Sequence, residues 1–441
     1  MKRFFSLAAA VIIAVSAFGA DRAHTLKIYN WADYIDISNV LETFPAWYKV
    51  QTGEDVEVVY QTFDINESML TQIEVGHEDY DVVCPSEYII ERMLRQGLLL
   101  PIDKNFGSTP DYTKLVAPYA EAAFQQMAPD TSVHVADYTV GYMGGTTGIL
   151  YNPALLEKAG LTEADVQSWG VLQNPKLKGK ILMKDAFRDI YSVLVLYCYR
   201  NEIASGEVTR ADLVANITPE RIERVKQFLI DMKSNIAGWE VDFGKEDMAK
   251  GSKDFVMDVM WSGDAQWAID NEAEGVELKY VVPEEGSNIW FDGWVIPKYA
   301  QNVKAASYFI DYLCMPQNAI LNMEEIGYVS CIASPEIMEW ANDSAAFPQT
   351  VNAVFQFGPV GRALHANPVF YPDSSVMARC ALMHDCGDQT QQMLDMWNQV
   401  KGDNLNTGMM IFLAGVVVVL AIIVIFYWGV GRRRQRRTRM R

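Results

Sequence analysis

From residue 26 onward, short runs of β-forming residues alternate with amphipathic stretches that are long enough to form helices. Strands are predicted at 26–30, 56–60 and 81–84, and helices at 39–50, 67–75 and 88–96, the first of these interrupted by Pro45. Strands that alternate with helices of this length form parallel βαβ units. The alternation therefore predicts an α/β fold built on a largely parallel sheet.

A second α/β pattern begins after a crossing segment in which four glycines lie among β-forming residues, around 133–150. Strands are predicted at 181–183 and 256–261, helices at 189–200 and 219–232, a crossing strand at 290–297 and a helix at 302–314. We predict two lobes: lobe 1 from 21–138 and 291–330, and lobe 2 from 139–290. Residues 331–401 are predicted to complete lobe 2, with an insertion at 334–367.

The two ends of the chain have the patterns of an export signal and of a membrane anchor. Residues 1–20 have the basic start, apolar run and small-residue end of a secretory signal peptide. Residues 409–430 are uncharged, long enough to cross a bilayer, and followed by seven arginines in the tail 431–441. After a polar linker at 402–408, these features predict one C-terminal transmembrane helix. The positive-inside rule places the tail in the cytoplasm and 21–408 on the extracytoplasmic, periplasmic side.

Charge is distributed unevenly along the chain, whose formal net charge is −19. The two ends hold nine of the 37 basic residues and none of the 56 acidic ones, so residues 21–408 carry 28 bases, 56 acids and a net charge of −28. An acidic domain of this kind argues against a nucleic-acid partner, which requires a basic surface. It favours the electrostatic attraction of a cationic ligand.

The six cysteines allow fifteen disulfide connectivities in an exported chain, and spacing alone does not choose among them. Cys380 with Cys386, and Cys314 with Cys331, are the pairs closest in sequence. The chain has no CxxC motif and no zinc-ligand spacing.

Aromatic and acidic side chains recur where predicted strands end. Trp31, Asp33 and Tyr34 follow the first strand, and similar segments include Ser86, Asp189, Trp261 with Asp264, and Trp290 with Asp292. In open α/β sheets ligands bind outside the carboxyl ends of strands. An aromatic face beside a carboxylate suits a protonated amine, because the ring attracts the cation and the carboxylate accepts its N–H bonds. The segments therefore predict a cation-binding cleft.

Six blocks carry a resemblance to a known family, and they occur in family order. They are Tyr29-Asn30-Trp31-x-Asp33-Tyr34, Tyr80-Asp81-Val82-Val83-x-Pro85-Ser86, Leu182-x-x-Asp185-x-x-Arg188-Asp189, Trp261-Ser262-Gly263-Asp264, Trp290-Phe291-Asp292-Gly293 and Glu325-Ile326-Gly327-Tyr328. The chain resembles the polyamine-binding proteins of bacterial ABC importers, the spermidine/putrescine-binding (PotD/PotF-like) branch of the type II periplasmic binding proteins. The resemblance implies a two-lobed α/β fold with a hinge and a ligand cleft.

The same resemblance implies capture of a polyamine by clamshell closure and delivery to an ABC permease, without enzymatic activity or a cofactor. Trp31, Tyr34, Trp261, Trp290 and Tyr328 would form an aromatic box around the methylene chain. The ammonium groups would be held by the carboxylates of Asp33, Asp189, Asp264 and Asp292 and by the hydroxyl of Ser86. Departures from the family pattern at Ala186, Met383, Glu87 and Asp264 favour putrescine and leave spermidine open.

Other functions use the same residue types. A glycosidase needs two carboxylates across a cleft, but the chain has no GxSxG, HExxH or Walker motif that would support an enzyme. An iron-binding relative would need several Tyr or His on one metal, and the ten candidates include two Tyr and no His. The alternative that stays open is a ligand-binding exodomain of the same fold that acts as a sensor or binds another small cation.

Overall fold

The computed structural model describes residues 22–241, 243–251, 254–352 and 363–402. The predicted signal peptide at 1–20, the transmembrane segment at 409–430 and the basic tail at 431–441 lie outside these ranges, as does most of the linker. Within the described ranges, no helix combines the length and the apolar character that crossing a bilayer requires.

Strands and helices alternate through most of the described chain. The strands are β1 (Thr25–Trp31), β2 (Glu57–Phe63), β3 (Val82–Val83), β4 (Leu99–Leu100), β5 (Thr139–Tyr151), β6 (Ile181–Lys184), β7 (Ile236–Glu240), β8 (Met257–Trp261), β9 (Lys279–Val281), β10 (Ser287–Pro297), β11 (Val329–Ser330) and β12 (Cys380–Leu382). The helices are α1 (Phe44–Thr52), α2 (Asn66–Glu74), α3 (Glu87–Arg95), α4 (Pro118–Gln125), α5 (Pro153–Lys158), α6 (Phe187–Cys198), α7 (Arg200–Ser205), α8 (Arg210–Ala215), α9 (Pro219–Met232), α10 (Phe243–Ala249), α11 (Ser262–Asp270), α12 (Val303–Leu313), α13 (Pro316–Ile326), α14 (Pro335–Ala341), α15 (Ser374–Met377) and α16 (Thr390–Gly402).

The first lobe contains a sheet in the order β2-β1-β3-β10-β5. Strand β1 is parallel to β2 and to β3, whereas β10 runs antiparallel to β3 and to β5. The second lobe repeats this arrangement, with β6 parallel to β7 and β8, and β5 antiparallel to β8. The prediction of a two-lobed α/β fold is therefore confirmed.

Two long strands connect the lobes. All 13 residues of β5 and all 11 residues of β10 are buried. The two strands pair with each other, and a β-bulge interrupts their register between Asp292 and Gly293. They correspond to the crossing segments predicted around 133–150 and 290–297. Burial on both faces explains why these strands read as runs of apolar and small residues without alternation.

The C-terminal part of the chain packs on both lobes. Residues 331–333 hydrogen-bond to the segment 115–117 beside α4, and α14 packs on α13. Strand β12 then pairs with the start of β10, and α16 packs on α6 and α9 in the second lobe. Residues 353–362 of the predicted insertion lie outside the described ranges, and the lobe boundaries drawn from the sequence stay a prediction.

The six cysteines are free thiols in the structure, so neither of the two pairs closest in sequence is joined. Five of the six are buried. Extensive apolar burial, including Trp169, Trp294 and Phe309 at no more than 1% exposure, supplies the core that disulfides provide in smaller exported domains.

Candidate ligand-binding cleft

A cavity of about 260 Å³ lies where the carboxyl ends of strands from both lobes meet. The ten side chains predicted for the ligand site all line this cavity: Trp31, Asp33, Tyr34, Ser86, Asp189, Trp261, Asp264, Trp290, Asp292 and Tyr328. The structure thus brings together residues that are up to 297 positions apart in the sequence. Their contacts with a ligand stay a prediction.

The turn after β1 positions the first group of side chains. Trp31 is the last residue of the strand, and Asp33 adopts a left-handed conformation with φ of 49°. Asn30 donates from Nδ2 to the carbonyl of Tyr34 at 3.2 Å, which holds the turn. As a result, the buried Tyr34 side chain points into the cleft while Asp33 lies exposed at its rim.

Asp292 is held between two hydroxyl groups. Tyr34 Oη donates to its Oδ2 at 2.7 Å, and Ser86 Oγ donates to its Oδ1 at 2.7 Å. Ser86 precedes α3 and receives a hydrogen bond from Asn66 Nδ2 at 3.0 Å, which fixes the hydroxyl from the other side. Two residues earlier on β10, Trp290 also lines the cavity, because alternate residues of a strand share a face.

The protonation of Asp292 is set mainly by its burial. Burial is the main cause that raises the pKa of Asp292 to about 7. The hydrogen bonds from Ser86 and Tyr34 lower this pKa, whereas the charge of Asp189 raises it. Among the described residues, no basic side chain lies within ion-pair distance of this carboxyl group. A cation that entered the cleft would therefore meet a desolvated carboxylate without an internal counter-ion.

Asp189 is a second buried acid of the cleft, and no lysine of the described residues lies within ion-pair distance of it. It lies in the first turn of α6 and accepts a hydrogen bond from Asn288 Nδ2 at 2.8 Å. Burial raises its pKa, whereas the hydrogen bonds from Asn288 and Trp261 and the charge of Arg188 lower it. Asn288, Trp290 and Asp292 alternate along β10, so one strand supplies or supports both acids.

Aromatic rings line the same cavity as these acids in a chain of edge-to-face contacts. The ring centroids of Trp261 and Trp290 lie 6.5 Å apart, those of Trp290 and Tyr328 5.5 Å, and those of Tyr328 and Tyr34 5.3 Å. Gly263 makes the packing of Tyr328 feasible, because a Cβ at this position would lie 2.2 Å from the ring. The result is an apolar wall suited to methylene groups.

Lys184 is the main residue lining the cavity that the sequence analysis did not assign to the ligand site. It ends β6, is fully buried, and places Nζ 2.6 Å from Oδ2 of Asp264 and 4.5 Å from the ring centroid of Trp261. Asp264, which the sequence assigned to a ligand ammonium, thus already pairs with an ammonium of the protein. The sequence feature that could have pointed to Lys184 is its place at the carboxyl end of a predicted strand, directly before Asp185.

Glu87, noted in the sequence as an additional acid beside Ser86, lies behind the cleft. It is fully buried, and its Oε2 accepts a hydrogen bond from the backbone N–H of Phe291 at 3.1 Å. Burial raises the pKa of Glu87 well above its usual value, which favours the neutral carboxyl group. Its structural effect is to support the segment of β10 that carries Asp292.

Comparison with known proteins places this arrangement in a family. Residues 46–349, more than half of the chain, match the sequence profile described as bacterial extracellular solute-binding protein. The spermidine/putrescine-binding periplasmic protein of Escherichia coli K12 is 28% identical over 353 residues, which cover 78% of this chain and 89% of the relative. The putrescine-binding periplasmic protein PotF of the same strain is 28% identical over 385 residues, covering 84% and 89%.

Solved structures give the same result. A putative spermidine/putrescine ABC transporter from Listeria monocytogenes superposes with a TM-score of 0.62 at 28% identity, covering 86% of this chain and 97% of the other. The substrate-binding protein PotD from Streptococcus pneumoniae gives a TM-score of 0.60 at 26% identity, covering 86% and 98%. These similarities confirm the resemblance inferred from the sequence blocks. The chain belongs to the bacterial extracellular solute-binding proteins.

Proposed function

We propose that this chain is the substrate-binding component of an ABC importer, and that it captures a linear polyamine, putrescine or spermidine, in the cleft between its lobes. Asp292 is the observation that carries the proposal. Its carboxyl group is buried, oriented by two hydroxyls, and without a basic partner within ion-pair distance among the described residues. Relatives with 28% identity are named for binding spermidine and putrescine.

The chemistry of the cleft supports an alkylammonium ligand. Putrescine and spermidine carry positive charges separated by short methylene spacers, so they require carboxylates at intervals and apolar walls between them. Asp292 and Asp189 supply buried carboxylates, and the rings of Trp290 and Tyr328 supply the wall. Each cation–π contact contributes about 0.5–2 kcal/mol, with the larger values in desolvated sites.

Lobe closure follows from the connections between the lobes. Because β5 pairs with β10 in the first sheet and with β8 in the second, a change in twist along β5 and its partner β10 moves one lobe relative to the other. A ligand that neutralises Asp292 removes the cost of burying its charge, and closure then becomes more favourable. The closed form is the one that would be delivered to the permease. The proposed role is binding and delivery, without a chemical step.

We further propose that the chain acts at the outer face of the cytoplasmic membrane. The support is the signal-peptide pattern at 1–20, the 22 uncharged residues at 409–430 and the arginines that follow them. Such an anchor would keep the binding domain close to the permease, whereas a freely diffusing protein would have to find it. The net charge of −28 for residues 21–408 favours a cationic ligand and disfavours nucleic acid.

Isothermal titration calorimetry on the purified full-length chain in mild detergent tests the polyamine proposal. Putrescine, cadaverine and spermidine are titrated beside an uncharged polyol and a neutral amino acid. We expect one-to-one binding of at least one polyamine and none of the controls. Absence of binding for all three polyamines, with a folded protein shown by circular dichroism, would refute the proposal.

A further inference from the structure

Lys184 occupies a place in the cleft that has the properties of a cation site. Its Nζ lies 2.6 Å from Oδ2 of Asp264 and 4.5 Å from the ring centroid of Trp261. A carboxylate and an aromatic face are the two groups that the same cleft offers to an ammonium group elsewhere. The lysine ammonium therefore makes, within the protein, the contacts that a ligand ammonium would make at this end.

Further contacts hold the lysine in this place. Its Nζ also donates to Oε2 of Glu240 at 3.4 Å and to the backbone carbonyl of Val241. With Asp264, these partners engage all three N–H groups of the ammonium. A ligand that took over Asp264 would leave a buried lysine with fewer partners, which is unfavourable.

Asp264 is also neutralised from its other side. Lys245 Nζ lies 3.6 Å from Oδ1, so each carboxylate oxygen faces a cation of the protein. Burial acts to raise the pKa of Asp264, but the charges of Lys184 and Lys245 outweigh it and the pKa lies below its usual value. Asp264 is therefore ionised and paired, in contrast to Asp292, whose pKa burial raises to about 7.

We propose that Lys184 sets the length and charge of the ligand: it takes the place of an ammonium at the Asp264 end, so that the cleft selects a short diamine over a triamine. This inference rests on the proposed polyamine function. Among the buried acids that line the cavity, Asp292 and Asp189 are the two that no lysine of the described residues pairs with, and they match the two charges of a diamine. The third ammonium of a triamine would meet Lys184, the half-buried Glu67 or the exposed rim acids Asp33 and Asp64. Glu67 already accepts a hydrogen bond from Tyr88 Oη at 3.3 Å, and at the rim water screens the interaction.

Substitution of the lysine tests this specificity. Lys184→Met removes the charge and keeps most of the side-chain volume, so Asp264 becomes available to a ligand. Calorimetry on the full-length chain should show that the wild type prefers putrescine to spermidine, and that this ratio of affinities falls at least tenfold in Lys184→Met. Adding Asp264→Asn to that variant should restore the preference. An unchanged ratio in a folded Lys184→Met protein would overturn the inference.

A matched control separates this effect from a general loss of positive charge. Lys304 pairs with Glu54, and neither residue is among those that line the cavity. Lys304→Met should therefore leave the putrescine-to-spermidine ratio within twofold of the wild type. A loss of preference in Lys304→Met as large as that in Lys184→Met would mean that general charge, and not the contact with Asp264, sets the preference.

A second variant gives an answer even where Lys184→Met does not fold. Asp264→Asn in the wild-type background leaves Lys184 paired with Glu240. Because Asp264→Asn leaves Lys184 and Lys245 without this counter-charge, the two lysines should repel a cation and lower putrescine affinity severalfold. Asp292→Asn, which removes a carboxylate that contacts the ligand, should lower it about a hundredfold. Equal losses in the two variants would show that Asp264 binds the ligand and would overturn the inference. Failure of the wild type to bind any polyamine would instead refute the proposed function.

Discussion

The hydroxyl of Tyr34 donates a hydrogen bond of 2.7 Å to Oδ2 of Asp292, although 258 residues separate the two in the chain. The turn after β1 thereby meets the middle of β10, where the crossing strand passes from one lobe to the other. Ser86 donates to the second oxygen of the same carboxylate at 2.7 Å. The two bonds aim the carboxylate into the cleft and hold its charge at a pH where burial alone would favour protonation.

Replacement of Asp292 by Asn removes this charge at nearly constant size. Loss of one partner from a buried, hydrogen-bonded charge pair costs about 2–5 kcal/mol, so we expect polyamine affinity to fall about a hundredfold or more. Calorimetry on the two proteins measures the change. Asp311→Asn is the control, because Asp311 is also a buried acid whose pKa is raised to about 7, but it lies on α12, outside the residues that line the cavity. It should leave affinity unchanged; equal losses in both variants would contradict the site.

Polyamine affinity should fall as the pH is lowered through about 7. Burial raises the pKa of Asp292 to about 7, so below that pH the unliganded carboxyl binds a proton that an entering ammonium must displace. The ligand amines, like lysine with a pKa near 10.4, stay charged throughout this range. Calorimetry at pH 6.5 in two buffers of different ionisation enthalpy should detect proton release on binding. Constant affinity between pH 5.5 and 8 would exclude this coupling.

Tyr34→Phe should move this pH dependence in a defined direction. The hydroxyl of Tyr34 stabilises the ionised form of Asp292 and so lowers its pKa. Without that hydrogen bond the pKa rises further, and the midpoint of the affinity profile shifts to higher pH. A titration series from pH 5.5 to 9 on wild type and variant measures the shift. A midpoint that moves to lower pH would show that the hydroxyl does not stabilise the carboxylate.

Trp290→Leu should weaken binding while most of the fold is kept. Loss of one cation–π contact of about 0.5–2 kcal/mol corresponds to a decrease in affinity of about 2- to 30-fold. Trp294→Leu on the same strand is the control, since Trp294 is 1% exposed and packs on Tyr142 and Phe309 in the core. The control should lower the free energy of unfolding, by about 3 kcal/mol, and change affinity little. The reverse pattern would place Trp294, and not Trp290, at the ligand.

Association of the ligand should depend on ionic strength more than dissociation does. The net charge of −28 on residues 21–408 attracts a cation over distances that salt screens. We expect the association rate constant to decrease severalfold between about 20 mM and 500 mM salt, with the dissociation rate constant nearly unchanged. Stopped-flow tryptophan fluorescence measures both, because Trp261 and Trp290 line the cavity. Equal salt effects on the two rate constants would contradict long-range attraction.

The elements of the fold were predictable where local patterns determine them. The predicted helix at 219–232 coincides with α9, where Thr218 caps the first turn and Pro219 begins the helix. The predicted strand at 26–30 lies within β1. The candidate site could be predicted in the same way, because strand ends carry its aromatic and acidic side chains and parallel strands bring those ends together.

The pairings inside the site could not be predicted, because they join residues far apart in the chain. Lys184 and Asp264 are 80 positions apart, and a base after a strand reads as an exposed residue unless its partner is known. The burial of Glu87 behind β10 likewise depends on a strand that lies 200 residues later. The local sequence pattern predicted that the acids lie near the cleft. Only the tertiary structure shows that Asp264 is paired with a lysine whereas Asp292 is not.

Because of strand β10, completion of the first sheet depends on a segment that lies late in the sequence. It is the strand between β3 and β5 in the first sheet, so the sheet begun at residue 25 lacks an interior strand until residues 287–297 are available. A chain that ends before that point would expose the edge of β3 to other strands. During synthesis, the first sheet can therefore assemble only its β2-β1-β3 part until about 200 further residues have been made.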